Sequence, residues 1–324
     1  MLRWGLIAPG GIARRFADAF AALPGQRLQR VAARDPAKAQ AFAAQWGGAA
    51  APSIEALCAD PEVDIVYVAS PHSAHAEHAR LALAAGKPVL CEKSLTPDRA
   101  SAEALFAFAR QRRLFLMEAL WSRFLPAWRR AQELLAQHAI GEVQRVQSSF
   151  CFAPPYDPRS RLFDPALAGG ALLDIGVYNL NLSAWVMRLA GQGELLDWQV
   201  DGRLAPTGVE QHVEGCLRFA GGARAGFVCR LDGLSPNAFC IEGSRGWIEL
   251  PDGFWHAQSL RWQRQGEALQ AESHPFARNG FEAQMQACAE ALEQGWLEHP
   301  QMPAADTLAT LGLIDALRER LGAQ

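Results

Sequence analysis

In Lys87-Pro88-Val89-Leu90-Cys91-Glu92-Lys93-Ser94 an apolar run ends in a carboxylate and an ammonium, Glu92 and Lys93. If that run is a strand of an open parallel sheet, its carboxyl end borders the crevice where ligands bind. A lysine there reaches the reacting end of a bound nucleotide, which points to redox chemistry on a nicotinamide cofactor. A second run, Ala8-Pro9-Gly10-Gly11-Ile12-Ala13, follows an apolar segment and opens a helical one. It fits the glycine-rich dinucleotide pattern loosely, with Ala8 in the first glycine's place. Gly10 lets the backbone approach a pyrophosphate, and Ala13 allows close helix–strand packing. The amides that begin the helix, at Gly11 and Ile12, then face the phosphates. Alone, the run reads equally well as a tight turn.

The next apolar run ends Val31-Ala32-Ala33, followed by Arg34-Asp35. An acid at such a strand end serves a ribose 2′-hydroxyl, whereas the guanidinium of Arg34 suits a 2′-phosphate, so NADP is expected before NAD. The plainer alternative makes Arg34 a surface residue, with Asp35 capping the helix that starts at Pro36. A third centre is Gly169-Gly170-Ala171-Leu172-Leu173-Asp174-Ile175-Gly176-Val177-Tyr178, where Asp174 and Tyr178 stand four apart and share one face of a helix. Taken alone, Asp174 near a helix start and Tyr178 in an amphipathic core would explain the pair.

Elements must place these residues. Up to about 118, apolar runs at 2–8, 28–33, 63–69, 88–91 and 114–117 alternate with helical segments at 12–22, 36–46, 74–85 and 97–112. Strands apolar throughout, alternating with helices, predict a doubly wound parallel sheet. Beyond 120 the pattern changes. Helices are predicted over 126–137, 170–189, 280–294 and 304–321, and strands over 142–150, 209–219, 224–230, 238–242 and 247–250. Turns such as Gly221-Gly222 and Asp232-Gly233 separate several of these strands, so a largely antiparallel sheet is expected. The reading is α/β, with a Rossmann domain at 1–119 and an α+β domain with a large open sheet at 120–324. The last helix is free to pack back on the first domain.

The 324 residues carry a net charge of −3 with no basic cluster or stripe, so neither nucleic acid nor an anionic membrane surface is an expected partner. No apolar stretch approaches the roughly 20 residues of a membrane span. The seven cysteines show no paired spacing, which fits reduced thiols, and with no export signal read at the start a cytoplasmic location is expected. His72, His75, His78 and Cys91 invite a metal reading, but no second ligand cluster answers them, and none is expected.

Taken together, the motifs resemble those of the Gfo/Idh/MocA family, the glucose–fructose oxidoreductases and inositol dehydrogenases. They are most similar to its branch of dimeric dihydrodiol dehydrogenases and NADP-dependent D-xylose dehydrogenases. The resemblance rests on Trp4-Gly5-Leu6-Ile7, Ala33-Arg34-Asp35, Pro71-His72-Ser73-Ala74-His75, Cys91-Glu92-Lys93 and Met117 through Phe124. It continues through Arg161-Leu162-Phe163-Asp164-Pro165, Gly169 through Tyr178, Met302-Pro303 and Asp306-Thr307-Leu308. It implies that Lys93 is the family's catalytic lysine and that Asp174 and Tyr178 belong to the substrate site. It also implies that the loop from Ser70 through His72 and His75 passes the nicotinamide side of the cofactor. Trp121 matches a tryptophan lining the substrate pocket of that branch, with plain packing as its other role, and Arg123 and Arg161 are further substrate candidates. A homodimer is implied as well.

The chemistry that follows has Tyr178 exchange the proton of a reacting hydroxyl, with a neighbouring ammonium, Lys93, stabilising the phenolate and Asp174 orienting it. Expected substrates are polyhydroxylated rings, either an aldose at its anomeric carbon or a trans-dihydrodiol. The alternatives are a cofactor-retaining sugar–sugar oxidoreductase and a non-catalytic NADP-binding sensor. One departure stands out: Ser94 follows the lysine where the family has proline, often in cis. A cis bond before a non-proline residue costs about 2.5–4 kcal/mol, so either a trans bond with a shifted backbone or a retained cis bond is expected.

Overall fold

The computed structural model describes residues 1–323, which form two compact units. The first comprises Met1–Trp121 with Ala277–Ala309; the second comprises Ser122–Phe276 and the residues from Thr310 on.

In the first unit, β1 (Leu2–Ile7), α1 (Gly11–Ala19), β2 (Gln26–Ala32), α2 (Pro36–Trp46) and β3 (Ala49–Ala50) are followed by α3 (Ile54–Ala59) and β4 (Ile65–Val68). Then come α4 (His72–Ala84), β5 (Val89–Glu92), α5 (Arg99–Arg112) and β6 (Leu116–Ala119). The strands pair in the order β3-β2-β1-β4-β5-β6, all in parallel. Every residue of β4, β5 and β6 is buried, as a sheet covered on both faces requires. Aspartate and serine caps set the helix starts: Asp35 accepts from the Ala37 amide, Ser53 from Ala56 and Asp98 from Ser101. The order reverses between β1 and β4, and at such a switch point the carboxyl ends of the strands open a crevice. The turn at Ala8–Gly11 and the loop from Ser70 to His72 leave those two strand ends.

The second unit contains α6 (Pro126–Ala136), β7 (Val143–Cys151), α7 (Val177–Leu189), β8 (Leu195–Leu204), β9 (Glu210–Phe219) and β10 (Arg224–Arg230). It continues with β11 (Phe239–Gly243), β12 (Gly246–Leu250), β13 (Ser259–Arg264) and β14 (Gln270–Ser273). Its eight strands run β14-β13-β12-β11-β7-β10-β9-β8, antiparallel except where β10 lies parallel to β7. One face is apolar, through Val146, Val213, Leu217, Ile241 and Ile248, all buried. The other carries cross-strand ion pairs, Arg145–Glu242, Arg218–Asp197 and Arg261–Glu249. Elements α3, β3, β8, β13 and β14 have no counterpart among the predicted helices and strands.

Two helices close the chain, α8 (Phe281–Glu293) and α9 (Ala304–Leu321). The stretch carrying α8 and the start of α9 belongs to the first unit and is tied to it by several bonds. Gln26 Nε2 donates to the Met285 carbonyl, Asn279 Nδ2 to that of Arg15, and the Leu116 amide to that of Leu297. Among the described residues no helix is long and apolar enough to cross a membrane.

Candidate active site

The turn after β1 holds Ala8 in the left-handed region, at φ 65°, where a glycine would be at ease. Gly10 takes the cap position of α1 in an extended conformation with no side-chain cap. A Cβ on Gly10 would come no nearer than 4.0 Å to the Ala8 carbonyl oxygen, and one on Gly11 would meet nothing within 4 Å. Neither the backbone nor the protein's own packing therefore asks for glycine at these two places. What they provide is an uncrowded helix start whose first amides, including those of Gly11 and Ile12, lack intrahelical partners, which is the arrangement that holds phosphates. Arg34 is exposed just beyond β2, next to the cap formed by Asp35.

The β5 end is built differently, because almost everything around Lys93 is buried. Glu92 accepts a 2.5 Å hydrogen bond from the Tyr67 hydroxyl. Burial raises its pKa, while that bond and the Lys93 charge pull it down. Lys93 itself is partly exposed, and the Lys93–Ser94 peptide is cis, so the proline-type geometry is kept with serine in place. Three successive backbone groups are gripped from the sides. His72 Nε2 donates to the Lys93 carbonyl at 3.1 Å, His75 Nδ1 lies 2.8 Å from the Ser94 carbonyl, and the Leu95 amide donates to Glu118 Oε1 at 2.9 Å. His75 Nε2 also lies 2.6 Å from the Ser70 carbonyl. Burial pushes the pKa of His75 down to about 3, so the ring is neutral and its single N–H serves one carbonyl at a time. Ser70 is buried, with its hydroxyl 3.0 Å from His78 Nδ1. Trp121 packs on Phe281 with ring centroids 4.8 Å apart, and the Arg15 guanidinium lies over its ring.

In the second unit, Asp174 lies within a π-helical turn, Leu172–Gly176, that leads directly into α7. Such turns within α-helices frequently mark functional sites. The preceding glycines are structural necessities. A Cβ on Gly169 would press on the Leu162 backbone, and Gly170, at φ 119°, has the Glu210 carboxylate where its Cβ would be. Glu210 is fully buried, and its Oε1 accepts from the Leu172 amide at 3.0 Å, securing the start of the turn. Asp174 is buried and accepts a 2.7 Å charge-assisted bond from Arg161, whose side chain is 57% exposed. Tyr178 is buried with its ring 5.8 Å from that of Phe150, which in turn stacks on Trp255. Arg123 is fully buried, donating from Nε to Asn181 Oδ1 and lying over Trp185.

Comparison with known proteins decides what this frame is. Residues 2–120 match "Oxidoreductase family, NAD-binding Rossmann fold", and residues 128–249 match "GFO/IDH/MocA C-terminal domain". The chain belongs to the Gfo/Idh/MocA family. Within it, the trans-1,2-dihydrobenzene-1,2-diol dehydrogenase of Sus scrofa is 33% identical over 99% of this chain and 97% of its own length, and that of Homo sapiens is 32% identical with the same coverage. Among solved structures, a 3-ketoreductase from Actinomadura kijaniata in complex with NADP and TDP-benzene has 31% identity and a TM-score of 0.85 (98% of this chain, 97% of that one). An aldose-aldose oxidoreductase from Caulobacter crescentus has 28% identity and a TM-score of 0.88 (98% and 96%).

Three contacts of this Gfo/Idh/MocA chain are not legible in its sequence. Glu118 and Thr307 stand in motifs that carry the family resemblance, yet nothing in their spacing shows a carboxylate reaching back to the Leu95 amide. Arg161 and Asp174 are separate candidates in the sequence, and the structure joins them. Glu210, in a strand that reads as ordinary, supports the turn bearing Asp174. Among the described residues no group of three or more His, Cys, Asp or Glu side chains is placed to hold a metal ion.

Proposed function

We propose that the protein is an NADP-dependent oxidoreductase that moves a hydride between the cofactor and a polyhydroxylated ring, an aldose at C1 or a trans-dihydrodiol. The observation that carries this is the open helix start at Gly10 and Gly11, on a switch point of a parallel sheet, in a chain whose relatives are dehydrogenases and reductases. The first unit binds the cofactor. The amides of Gly11 and Ile12 take the pyrophosphate, Gly10 lets the backbone approach it, and Ala8, whose carbonyl accepts from the Gly10 amide, shapes the turn. Arg34 takes the 2′-phosphate, and Ser70, His72, His75 and Glu92 shape the nicotinamide end. The bound nicotinamide supplies the hydride acceptor or donor. Lys93 holds the nicotinamide ribose and the substrate hydroxyl, Asp174 hydrogen-bonds substrate, and Tyr178 exchanges the proton. Arg161 fixes the Asp174 carboxylate, Trp121, buried against Phe281 and Arg15, takes the packing role, and buried Arg123 supports the substrate side through Asn181.

The test follows absorbance at 340 nm with NADP⁺ and a panel of aldoses, inositols and cyclic trans-diols, with NAD⁺ in parallel. Tyr178→Phe is expected to abolish turnover while NADPH still binds, and Arg34→Ala to erase the preference for NADP⁺. Turnover unchanged in Tyr178→Phe removes Tyr178 from the proton step. The likeness to the aldose-aldose oxidoreductase favours a second reading, in which the cofactor stays bound between two sugars. Cofactor absorbance that survives desalting would select it. The same proposal includes a homodimer formed through the polar face of the eight-stranded sheet, and a cytoplasmic location consistent with seven free cysteines.

A further inference from the structure

We propose that Glu118, backed by Thr307, is a positioning residue for Lys93; this rests on the role given to Lys93 above. Glu118 lies in the fully buried strand β6 and is itself 1% exposed. A carboxylate in such a place is unfavourable unless its oxygens are bonded, and an apolar side chain would serve the core better. Both oxygens are in use: Oε1 accepts from the Leu95 amide at 2.9 Å and Oε2 from the Thr307 hydroxyl at 2.8 Å. Its charge is also a minor upward influence on the pKa of buried Glu92.

What the carboxylate provides is a grip on the loop after β5. In the sheet β5 lies between β4 and β6. From the β4 side, α4 brings His72 to the Lys93 carbonyl and His75 to that of Ser94, its one N–H being shared with the Ser70 carbonyl; from the β6 side, Glu118 holds the amide of Leu95. Three consecutive residues are thus held between helix α4 on one side and strand β6 on the other, and the first carries the ammonium. Thr307, near the start of α9, orients the clamp's carboxylate from behind. Misplacing a reacting group by about 1 Å costs on the order of 100-fold in rate, so a loop free to shift would lose turnover before it lost cofactor.

The experiment uses the full chain with the substrate found active in the panel. It measures single-turnover rate, KM, NADPH affinity by fluorescence and melting temperature for Thr307→Val, Thr307→Ser, Glu118→Leu and Lys93→Ala. Thr307→Val removes only the hydroxyl. It is expected to slow turnover about tenfold or more with NADPH affinity within about threefold, and Thr307→Ser to restore the rate. In a Lys93→Ala background, Thr307→Val should slow the residual rate no further. Unchanged turnover in Thr307→Val, failure of serine to restore it, or an equal loss in the Lys93→Ala background each overturns the proposal. If Glu118→Leu does not fold, Thr307→Val decides alone. Full turnover in Lys93→Ala would instead overturn the role of Lys93 itself, and wild type that binds NADPH without turning over any substrate would overturn the functional reading.

Discussion

Single residues carry the departures from the family pattern. Ala8 replaces a glycine and yet adopts φ 65°, so the turn's shape survives the change of residue. The left-handed conformation costs a non-glycine residue roughly 1–2 kcal/mol, and glycine's extra unfolded-state entropy offsets roughly 0.5–1 of that. Ala8→Gly is therefore expected to stabilise the protein by about 0.5 kcal/mol, read as a higher urea midpoint. A midpoint that stays or falls would show that Ala8 sits there without strain. Gly170 is the opposite case, since its positive φ and the Glu210 carboxylate both exclude a side chain. Gly170→Ala should cost about 3 kcal/mol or more in a denaturant titration. Legibility divides the same way. Lys93, Gly10, Asp174 and Tyr178 stand out as candidates by residue type and local spacing, and the family resemblance gives them their roles. The partners that hold them, Glu118 and Glu210, do not, because each reaches its target from a strand that is distant in sequence.

At the scale of elements, burial decides what can be read. Strands β4, β5 and β6 are buried on both faces and stand out as apolar runs between helices. The outer strands β8 and β14 are mostly exposed and β13 is largely half-buried. Apart from the short alternation of Leu196, Trp198 and Val200 with Asp197, Gln199 and Asp201 in β8, no apolar period marks them. The parallel pairing of β7 with β10 is a matter of topology, invisible to any local pattern. Edge strand β14 is instead held by a polar anchor. Glu272 accepts from Arg130 of α6, at 2.8 Å from its Nε, and from the Trp262 indole at 2.9 Å. The Arg130 bond, ahead of those from Trp262 and His274, lowers the pKa of Glu272 from 4.5 to about 2. A carboxyl whose folded pKa is depressed adds stability that is complete above the unfolded value and fades as pH falls towards the folded one. Melting temperature is therefore expected to fall between about pH 4.5 and 2, more shallowly in Arg130→Met, which lacks the linkage. Parallel profiles for the two proteins would deny the anchor its role.

For the whole molecule, the change of pattern near 120 announced two kinds of sheet, but not that Ala277–Ala309 would return to the first unit. That return is fixed by contacts such as Gln26 with Met285 and Arg278 with Asp18, between positions some of the most distant in the chain. The proposed dimer predicts sedimentation at twice the 35.3 kDa chain mass, and a single-chain mass at micromolar concentration would remove it. The cysteines give that face of the sheet a built-in chemical footprint. Five of the seven thiols are buried, while Cys216 and Cys240 are half-covered. They lie in one row across the strands, Cys216 opposite Gly226, Gly226 opposite Gln147 and Gln147 opposite Cys240. Burial holds Cys240 up at about 11, which slows its alkylation at neutral pH and leaves Cys216 as the reporter. Brief treatment with iodoacetamide, read by intact mass, thus records whether the polar face is open to reagent in any state of the protein.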